Sequence, residues 1–465
     1  MIDTNKLLRD AGLTEPAMFR RAVELAAQGK NKKEILHTIR EDYDFMVDPR
    51  VKWQGKSRHY ETFGEVEPDD PEEEEVAVEW DIPRNAIKQM NKVMSIPPAE
   101  DGALMPDAHK GYGMPIGGVV GLDNAVSPSF VGYDIACRMT VSLLDLTPEE
   151  LISKQTDMAY HMKQVSSFGL GSMFEVPREH PVMSNPLWEV LPNLKALKSK
   201  AHEQLGSSGG GNHFFDALIG EVLVEVPWLV GQDGAPLEVG DMFTAIMTHS
   251  GSRGTGYKTA THYLKLAVKE TRQKYTGIEK GYEWLSMDSE AGKEYWAAMT
   301  LMGQYAQACH DRIHYHFAAS SGIVPYQRYE NHHNFAWKED GLIIHRKGAT
   351  PARVGEIGII PGTSATHSFL VEGLGNPLSL NSSSHGAGRP FSRTEAKRQH
   401  DEEAYREQLD PSILMIGVAQ DETFMAYKDI NRVIAVQDGI LVKVVAKMFP
   451  QIVIMGGNQR SDDGD

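Results

Sequence analysis

The sequence predicts a mixed α/β fold, and three observations carry that expectation. From about residue 84, short apolar runs alternate with glycine-rich loops, the texture of strands whose connections hold polar clusters. Between Tyr295 and Ile313, apolar residues recur three or four apart, as on one face of a long helix. With 465 residues, 41% hydrophobic and 24% charged, the chain has enough apolar side chain for a large core. At roughly 100–200 residues per domain, that length allows two or three domains, or one large one with attachments.

Residues 1–83 read as a helical attachment followed by an acidic linker, and residues 84–465 as the main domain. Thr14 is placed to cap a helix that opens at Glu15-Pro16, carries Phe19, Val23 and Ala26 on one face and stops at Gly29. Asn31, with Glu34 three positions on, opens a second helix bearing Ile35, Leu36 and Ile39. The linker contains the run Glu72 to Glu75, which reads as solvated chain, the alternative being an acidic docking tail. Phe243–Thr248 reads as a strand ending at His249. Leu342–Ile344 and Ile357–Ile360 read as strands that deliver His345-Arg346-Lys347 and Pro361-Gly-Thr-Ser364 at their ends. The helical stripe Tyr295, Met299, Met302, Ala306, Cys309 and Ile313 makes Cys309 a core residue. His310 and His314 sit four apart on that helix but lack the glutamate of HExxH, so an ordinary helix surface is expected for them. No internal repeat of about 20–50 residues is present.

Composition excludes several classes. No run approaches the roughly 20 apolar residues of a membrane helix, and MIDTNKLLRDAGL has neither the basic nor the apolar region of a signal peptide. Two cysteines, Cys137 and Cys309, cannot make a disulfide scaffold and suit a reducing, cytoplasmic setting. A net charge of −17 argues against a basic coat that binds nucleic acid by bulk electrostatics. Residues 345–398 nevertheless hold seven basic residues, Arg346, Lys347, Arg353, Arg389, Arg393, Lys397 and Arg398, against the acidic Glu356, Glu372 and Glu395. An anionic substrate would meet a local basic patch there, with Arg346, Lys347 and Arg393 as candidate phosphate contacts.

Six segments join glycine to chemically capable side chains: MPDAHKGYGMPIGG (105–118), VGYDIACRM (131–139), GGGNHFF (209–215), HSGSRGTG (249–256), NHHNF (331–335) and NSSSHGAGR (381–389). Glycine permits tight turns and lets backbone N–H groups approach anionic oxygens. Cys137, His213, His249 and His333 offer one thiolate and three imidazoles, with Asp134 three residues before the cysteine. That mixed donor set suits Zn, Mn, Fe or Co, and a carboxylate able to bridge suggests two ions. Singly, each histidine also reads as a hydrogen-bonded loop residue. His385 lies among small residues beside Arg389, with room for a phosphate; a neutral imidazole there can attack phosphorus, or simply satisfy a turn carbonyl.

In order along the chain, these segments and HRKGA, PGTSATHSF and SRTEAK resemble the motifs of the RtcB family of RNA ligases, over about residues 84–455. The resemblance implies the RtcB-type α/β fold, with sheets surrounding a metal-containing catalytic cleft, two Mn²⁺ ions and GTP as cofactors. It implies an RNA ligase that joins 3′-phosphate or 2′,3′-cyclic phosphate ends to 5′-hydroxyl ends. Asp134, Cys137, His213, His249 and His333 match its metal ligands, with Asp134 bridging and His332 a neighbour. His385 matches the histidine that carries GMP, and Asn212, Arg253 and Arg389 match positions that steady phosphates. Ser364 and Tyr427 match residues near guanine. An archease-like activator is a further partner that the resemblance allows.

The chain departs from the family pattern at three places. Asp216 stands where a glutamate is usual, Arg138 where a glycine follows the cysteine, and Met455 where a lysine precedes the final glycine. Asp216 and Met455 fall in the guanine-recognising set, so nucleotide choice is open at this point. The alternative activity is a nucleotidyltransferase that caps RNA 3′-phosphate ends without sealing them, or one with altered nucleotide specificity.

Overall fold

The apolar runs become strands of two principal sheets in a computed structural model that describes residues 2–11, 16–42, 50–67, 81–390, 409–419 and 422–457. Thr14, Glu15, the run Glu72 to Glu75, Arg393, Lys397, Arg398 and the SRTEAK motif lie outside the described residues. The chain divides into two compact units, Met1–Gln54 with Lys269–Glu279, and Gly55–Val268 with Lys280–Asp465.

In the small unit, α1 (Thr4–Asp10), α2 (Pro16–Ala27) and α3 (Lys32–Asp42) bury Leu8, Met18, Ala22, Leu25, Ile35 and Ile39 in one cluster. The start of α3 is capped reciprocally. Glu34 N–H donates to Asn31 Oδ1 at 3.0 Å and Asn31 N–H donates to Glu34 Oε2 at 2.8 Å. On α2 the apolar face differs from the expected one. Met18, Ala22 and Leu25 centre it, which turns Val23 about 100° away and leaves it 54% exposed. In the same unit β1 (Val51–Lys52) pairs in parallel with β9 (Tyr275–Thr276).

The large unit is built on an eight-stranded sheet. Its path runs β11 (Pro325–His332), β6 (Arg138–Leu144), β8 (Met242–Ser250), β7 (Phe214–Val222), β19 (Val442–Met455), β16 (Ser368–Gly373) and β15 (Ile357–Ile360). These neighbours are antiparallel, and β18 (Leu414–Ile416) adds to β19 in parallel. The two ends of the path approach each other, because Asn331 Nδ2 donates to Ile359 O at 3.1 Å. A five-stranded sheet runs β12 (Phe335–Glu339), β13 (Leu342–Lys347), β4 (Ile116–Leu122), β3 (Ala99–His109) and β2 (Glu61–Thr62). Two short pairs, β10 (Leu285–Ser286) with β5 (Ala125–Val126) and β14 (Ala349–Pro351) with β17 (Ser382–Ser384), complete the strands. β17 is the element that leads into His385.

The expected helical stripe holds. Helix Glu290–Ser321 buries Tyr295, Met299, Met302, Ala306, Cys309 and Ile313, and burial pushes the Cys309 thiol up to about 11. The expectation of a helix surface at His310 and His314 is corrected, since both are buried. Their rings are satisfied by hydroxyls of the sheet beneath. Thr248 Oγ1 lies 2.6 Å from His310 Nδ1 and 2.8 Å from His314 Nε2, while Ser142 Oγ lies 2.8 Å from His314 Nδ1. Burial therefore holds both imidazoles neutral, with His314 lowered to about 3.

The basic triplet is corrected too. His345, Arg346 and Lys347 belong to β13 rather than to its exit, and all three are buried. Arg346 is fully enclosed, with Nη1 and Nη2 donating to the two oxygens of Glu339 at 2.9 and 2.8 Å and Nε to Ser382 Oγ at 2.8 Å. It is a bidentate structural ion pair, out of reach of an RNA backbone. Lys347 Nζ donates to Tyr112 O at 2.5 Å and Ser129 O at 3.3 Å, which ties the end of β13 to the Tyr112 loop and to the short helix Pro128–Val131.

Candidate active site

Strand register brings the sequence-distant residues together. Across the sheet His332 pairs with Arg138, Met139 with His249, Phe214 with His249 and Met455 with Phe214. The start of β6, the end of β8, the start of β7 and the ends of β11 and β19 therefore share one sheet edge. Cys137, His213, His249, His333 and Met455 all sit there.

The first cluster is thiol and imidazole. Cys137 Sγ lies 3.3 Å from His213 Nε2 and 3.0 Å from His249 Nε2, and all three residues are buried. Each histidine is oriented from behind. His213 Nδ1 meets Ser208 O at 2.5 Å and His249 Nδ1 meets Asn212 O at 3.0 Å, so both Nε2 atoms face the sulfur. Burial lowers His249 to about 3 and His333 well below the usual range, so the rings are neutral donors of electron pairs. Asp134 joins them, with Oδ2 at 3.2 Å from His213 Nε2 and Oδ1 accepting from Ser252 N–H at 3.0 Å. Burial opposes its ionisation, but His213, Cys137 and Arg253 outweigh that and hold the carboxyl below its ordinary range. The His333 ring is tilted against that of His249, with centroids 5.4 Å apart, and its buried Nδ1 has no hydrogen-bond partner among the described residues. The sulfur of Cys137 and the imidazoles of His213 and His249 lie close enough together to share a divalent transition metal, with Asp134 and His333 beside them. Gly251 leaves the space this requires, since a Cβ there would stand 2.1 Å from an Asp134 oxygen.

The second feature is a held imidazole. His385 follows β17 with its ring centroid 4.9 Å from that of His333. Its Nδ1–H donates to Asp107 Oδ2 at 2.7 Å, and its backbone N–H reaches the same oxygen at 3.2 Å. Asp107 is fully buried on β3, so ring and backbone are both fixed by one carboxylate, and Nε2 keeps its lone pair. Asp107 stands in the MPDAHKGYG segment, and a carboxylate in a glycine-rich cluster was the available signal for its role.

Both features open on a cavity of about 520 Å³. Asp134, Cys137, Asn212, His249, His333 and His385 line one part of it. Asp216, Ser364, Arg389, Glu422, Tyr427 and Met455 also line it. Arg389 Nη1 donates to Glu422 Oε1 and Tyr427 Oη, both at 3.3 Å, and its guanidinium lies 4.9 Å from the Tyr427 ring centre. Tyr427 Oη also donates to the buried Glu422. Glu422 belongs to no sequence motif, and nothing in the one-dimensional pattern marks it. Arg253 is buried behind the Cys137 cluster, where Nε donates to Ser207 Oγ at 3.1 Å and Nη2 to Ser172 Oγ at 3.2 Å; it does not line the cavity. His332 packs edge-on against Phe335 and tilted against Trp337, with both centroid distances 5.1 Å.

Fold and site together define a protein with a metal-capable Cys/His centre at a sheet edge, beside a carboxylate-held histidine that opens on the same cavity. The family model described as "tRNA-splicing ligase RtcB" matches residues 89–191 and 190–456, and the chain belongs to the RtcB family of RNA ligases. It is similar to the RNA-splicing ligase RtcB of Escherichia coli K12, at 28% identity over 386 residues covering 76% of this chain and 90% of that one. The tRNA-splicing ligase RtcB of Thermococcus kodakarensis is 30% identical over 432 residues, covering 76% and 87%. That of Methanococcus maripaludis is 27% identical over 449 residues, covering 81% and 92%. No helix among the described residues is long and apolar enough to cross a membrane.

Proposed function

We propose that this protein joins RNA 3′-phosphate or 2′,3′-cyclic phosphate ends to 5′-hydroxyl ends through a GMP carried on His385, in RNA repair or tRNA splicing. GTP and two Mn²⁺ ions are the cofactors of this reading, with Asp134, Cys137, His213, His249 and His333 as the metal-holding residues. The observation that carries it is His385, oriented by Asp107 at 2.7 Å and facing the same cavity as the Cys137 cluster. A divalent ion held by that cluster would supply positive charge to the phosphate oxygens and stabilise the negative charge that develops on them.

The chain's own groups account for the rest. His385 Nε2 attacks the α-phosphorus: the N–P bond forms, the bond to the bridging oxygen breaks, and pyrophosphate leaves with that electron pair. Asp107 accepts from Nδ1–H throughout and offsets the positive charge that the ring acquires. An oxygen of the RNA 3′-phosphate, freed from its cyclic form by water where necessary, then attacks the same phosphorus. The N–P bond breaks and its pair returns to Nε2. The 5′-hydroxyl finally attacks the 3′-phosphorus, loses its proton to solvent and expels GMP. Asn212 and Arg389 line the path as phosphate contacts, and Arg253 acts from behind through its charge on Asp134. Ser364, Tyr427, Asp216 and Met455 surround the base.

The test is labelling with nucleotide radioactive at the α-phosphate, with Mn²⁺, for the protein and for His385→Ala. An acid-labile adduct on the protein alone, followed by sealing of a 3′-phosphate to a 5′-hydroxyl RNA, supports the reading. A capped 3′-end with no joined product points instead to a nucleotidyltransferase. Adding an archease-like activator separates a protein that depends on one from a protein without the activity.

A further inference from the structure

Asp216 lines the cavity from a stretch of the eight-stranded sheet whose cross-strand neighbours on the same face are apolar. Cross-strand register places it opposite Val453, with Phe214 and Met455 forming the next pair on the same face. All four line the cavity. Asp216 is 5% exposed, and its buried Oδ1 has no hydrogen-bond partner among the described residues. No salt bridge reaches it from a lysine, arginine or histidine among those residues. An unpaired polar atom in an apolar wall that opens on a cavity points to a ligand group.

We propose that Asp216, backed by Met455, reads the base of the bound nucleotide as a paired donor and acceptor, so that this subsite takes adenine and hypoxanthine as well as guanine. The inference rests on the nucleotide reading given above and deepens it. A carboxylate offers acceptors alone and matches only the N1–H and N2–H donors of guanine. A carboxylic acid offers one donor and one acceptor. It pairs with N1 and the 6-amino group of adenine, and equally with O6 and N1–H of guanine or hypoxanthine. Burial without a compensating cation pushes the Asp216 carboxyl well above the usual carboxylate range, which favours the acid form. A lysine at position 455 would reverse both effects, by ionising the carboxyl and donating to a base oxygen. The thioether of Met455 does neither.

Titration calorimetry of AMP, IMP and GMP with the full chain in Mn²⁺ tests this without turnover. AMP and IMP are expected to bind within about tenfold of GMP. Asp216→Asn, whose amide keeps one donor and one acceptor, holds all three affinities within about threefold, while Asp216→Ala weakens all three by about tenfold. Met455→Lys shifts preference toward GMP over AMP and IMP by about tenfold or more. GMP bound at least about tenfold more tightly than AMP and IMP, with that preference lost in Asp216→Asn, overturns the proposal and makes Asp216 a guanine-reading carboxylate. Binding of none of the three also overturns it. His385 labelling separates this from the functional reading: an adduct from GTP only sinks the base inference alone, whereas AMP and GMP binding without any adduct sinks the ligase reading alone.

Discussion

Asp107 Oδ2 accepts hydrogen bonds from both the ring and the backbone N–H of His385, at 2.7 and 3.2 Å, and does so from a fully buried position on another sheet. One carboxylate thereby decides which imidazole nitrogen carries the proton and where the other one points. The arrangement makes Asp107 a positioning residue whose removal affects chemistry more than binding.

Asp107→Ala is expected to lower nucleotide labelling of His385 by about a hundredfold or more. Bound metal, measured by elemental analysis, stays at the wild-type level, because Asp107 does not contact the cysteine cluster. Loss of metal together with the label would instead mean that the variant had collapsed the site.

Metal retention is expected to depend on a glycine that touches no ion. Gly251→Ala introduces a Cβ about where the Asp134 carboxylate lies, at 2.1 Å from one oxygen, so the carboxylate must turn away. Divalent metal affinity should fall on the order of tenfold to a hundredfold, the range found when groups that orient ligands are disturbed. Cys137→Ser should fall at least as far. An unchanged metal content in both variants would remove the cluster from consideration as a metal centre.

Acid should destabilise the protein in a defined window. His314 is buried neutral with its pKa lowered to about 3, whereas an unfolded histidine titrates near 6.5. Between those values the unfolded chain binds a proton that the folded one does not. Stability is therefore full above about pH 6.5 and falls as pH drops toward 3, by about 1.4 kcal/mol per pH unit for each such group. His249, also near 3, and His109, near 4, add to the slope in the same direction. Denaturant unfolding at stepped pH checks this, and His314→Gln should flatten the slope by about one proton.

Arg346 predicts a stability effect with no RNA effect. Arg346→Met leaves Glu339 buried with only the half-exposed Arg353 at 3.2 Å, and should cost on the order of 3–5 kcal/mol. RNA affinity of the folded fraction is expected to stay the same. A weakened RNA complex with an unchanged Tm would restore Arg346 to the substrate path.

Much of the site was legible because its chemistry is written in short glycine-flanked motifs. Cys137, His213 and His249 come within contact of one another as their donor types suggested, and His333 and Asp134 stand beside them. Asp107 was visible as a residue in a motif but not as the partner of His385, since 278 positions separate them in the chain. Glu422 was not legible at all. Its significance comes from being buried against Arg389 and Tyr427, a neighbourhood made by packing.

By itself the sequence determined the strands at Phe243–Thr248 and Ile357–Ile360, the buried stripe of helix Glu290–Ser321 and the thiol and imidazole types of the Cys137 cluster, because periodicity and residue chemistry act locally. Tertiary structure alone decided which polar residues would be enclosed. His310 and His314 looked like surface until two hydroxyls on the sheet below were there to satisfy them, and Arg346 looked like a phosphate contact until Glu339 closed on it from the next strand. A buried polar side chain is tolerable only with a partner, and its partner here lies on another element whose position the local sequence does not encode.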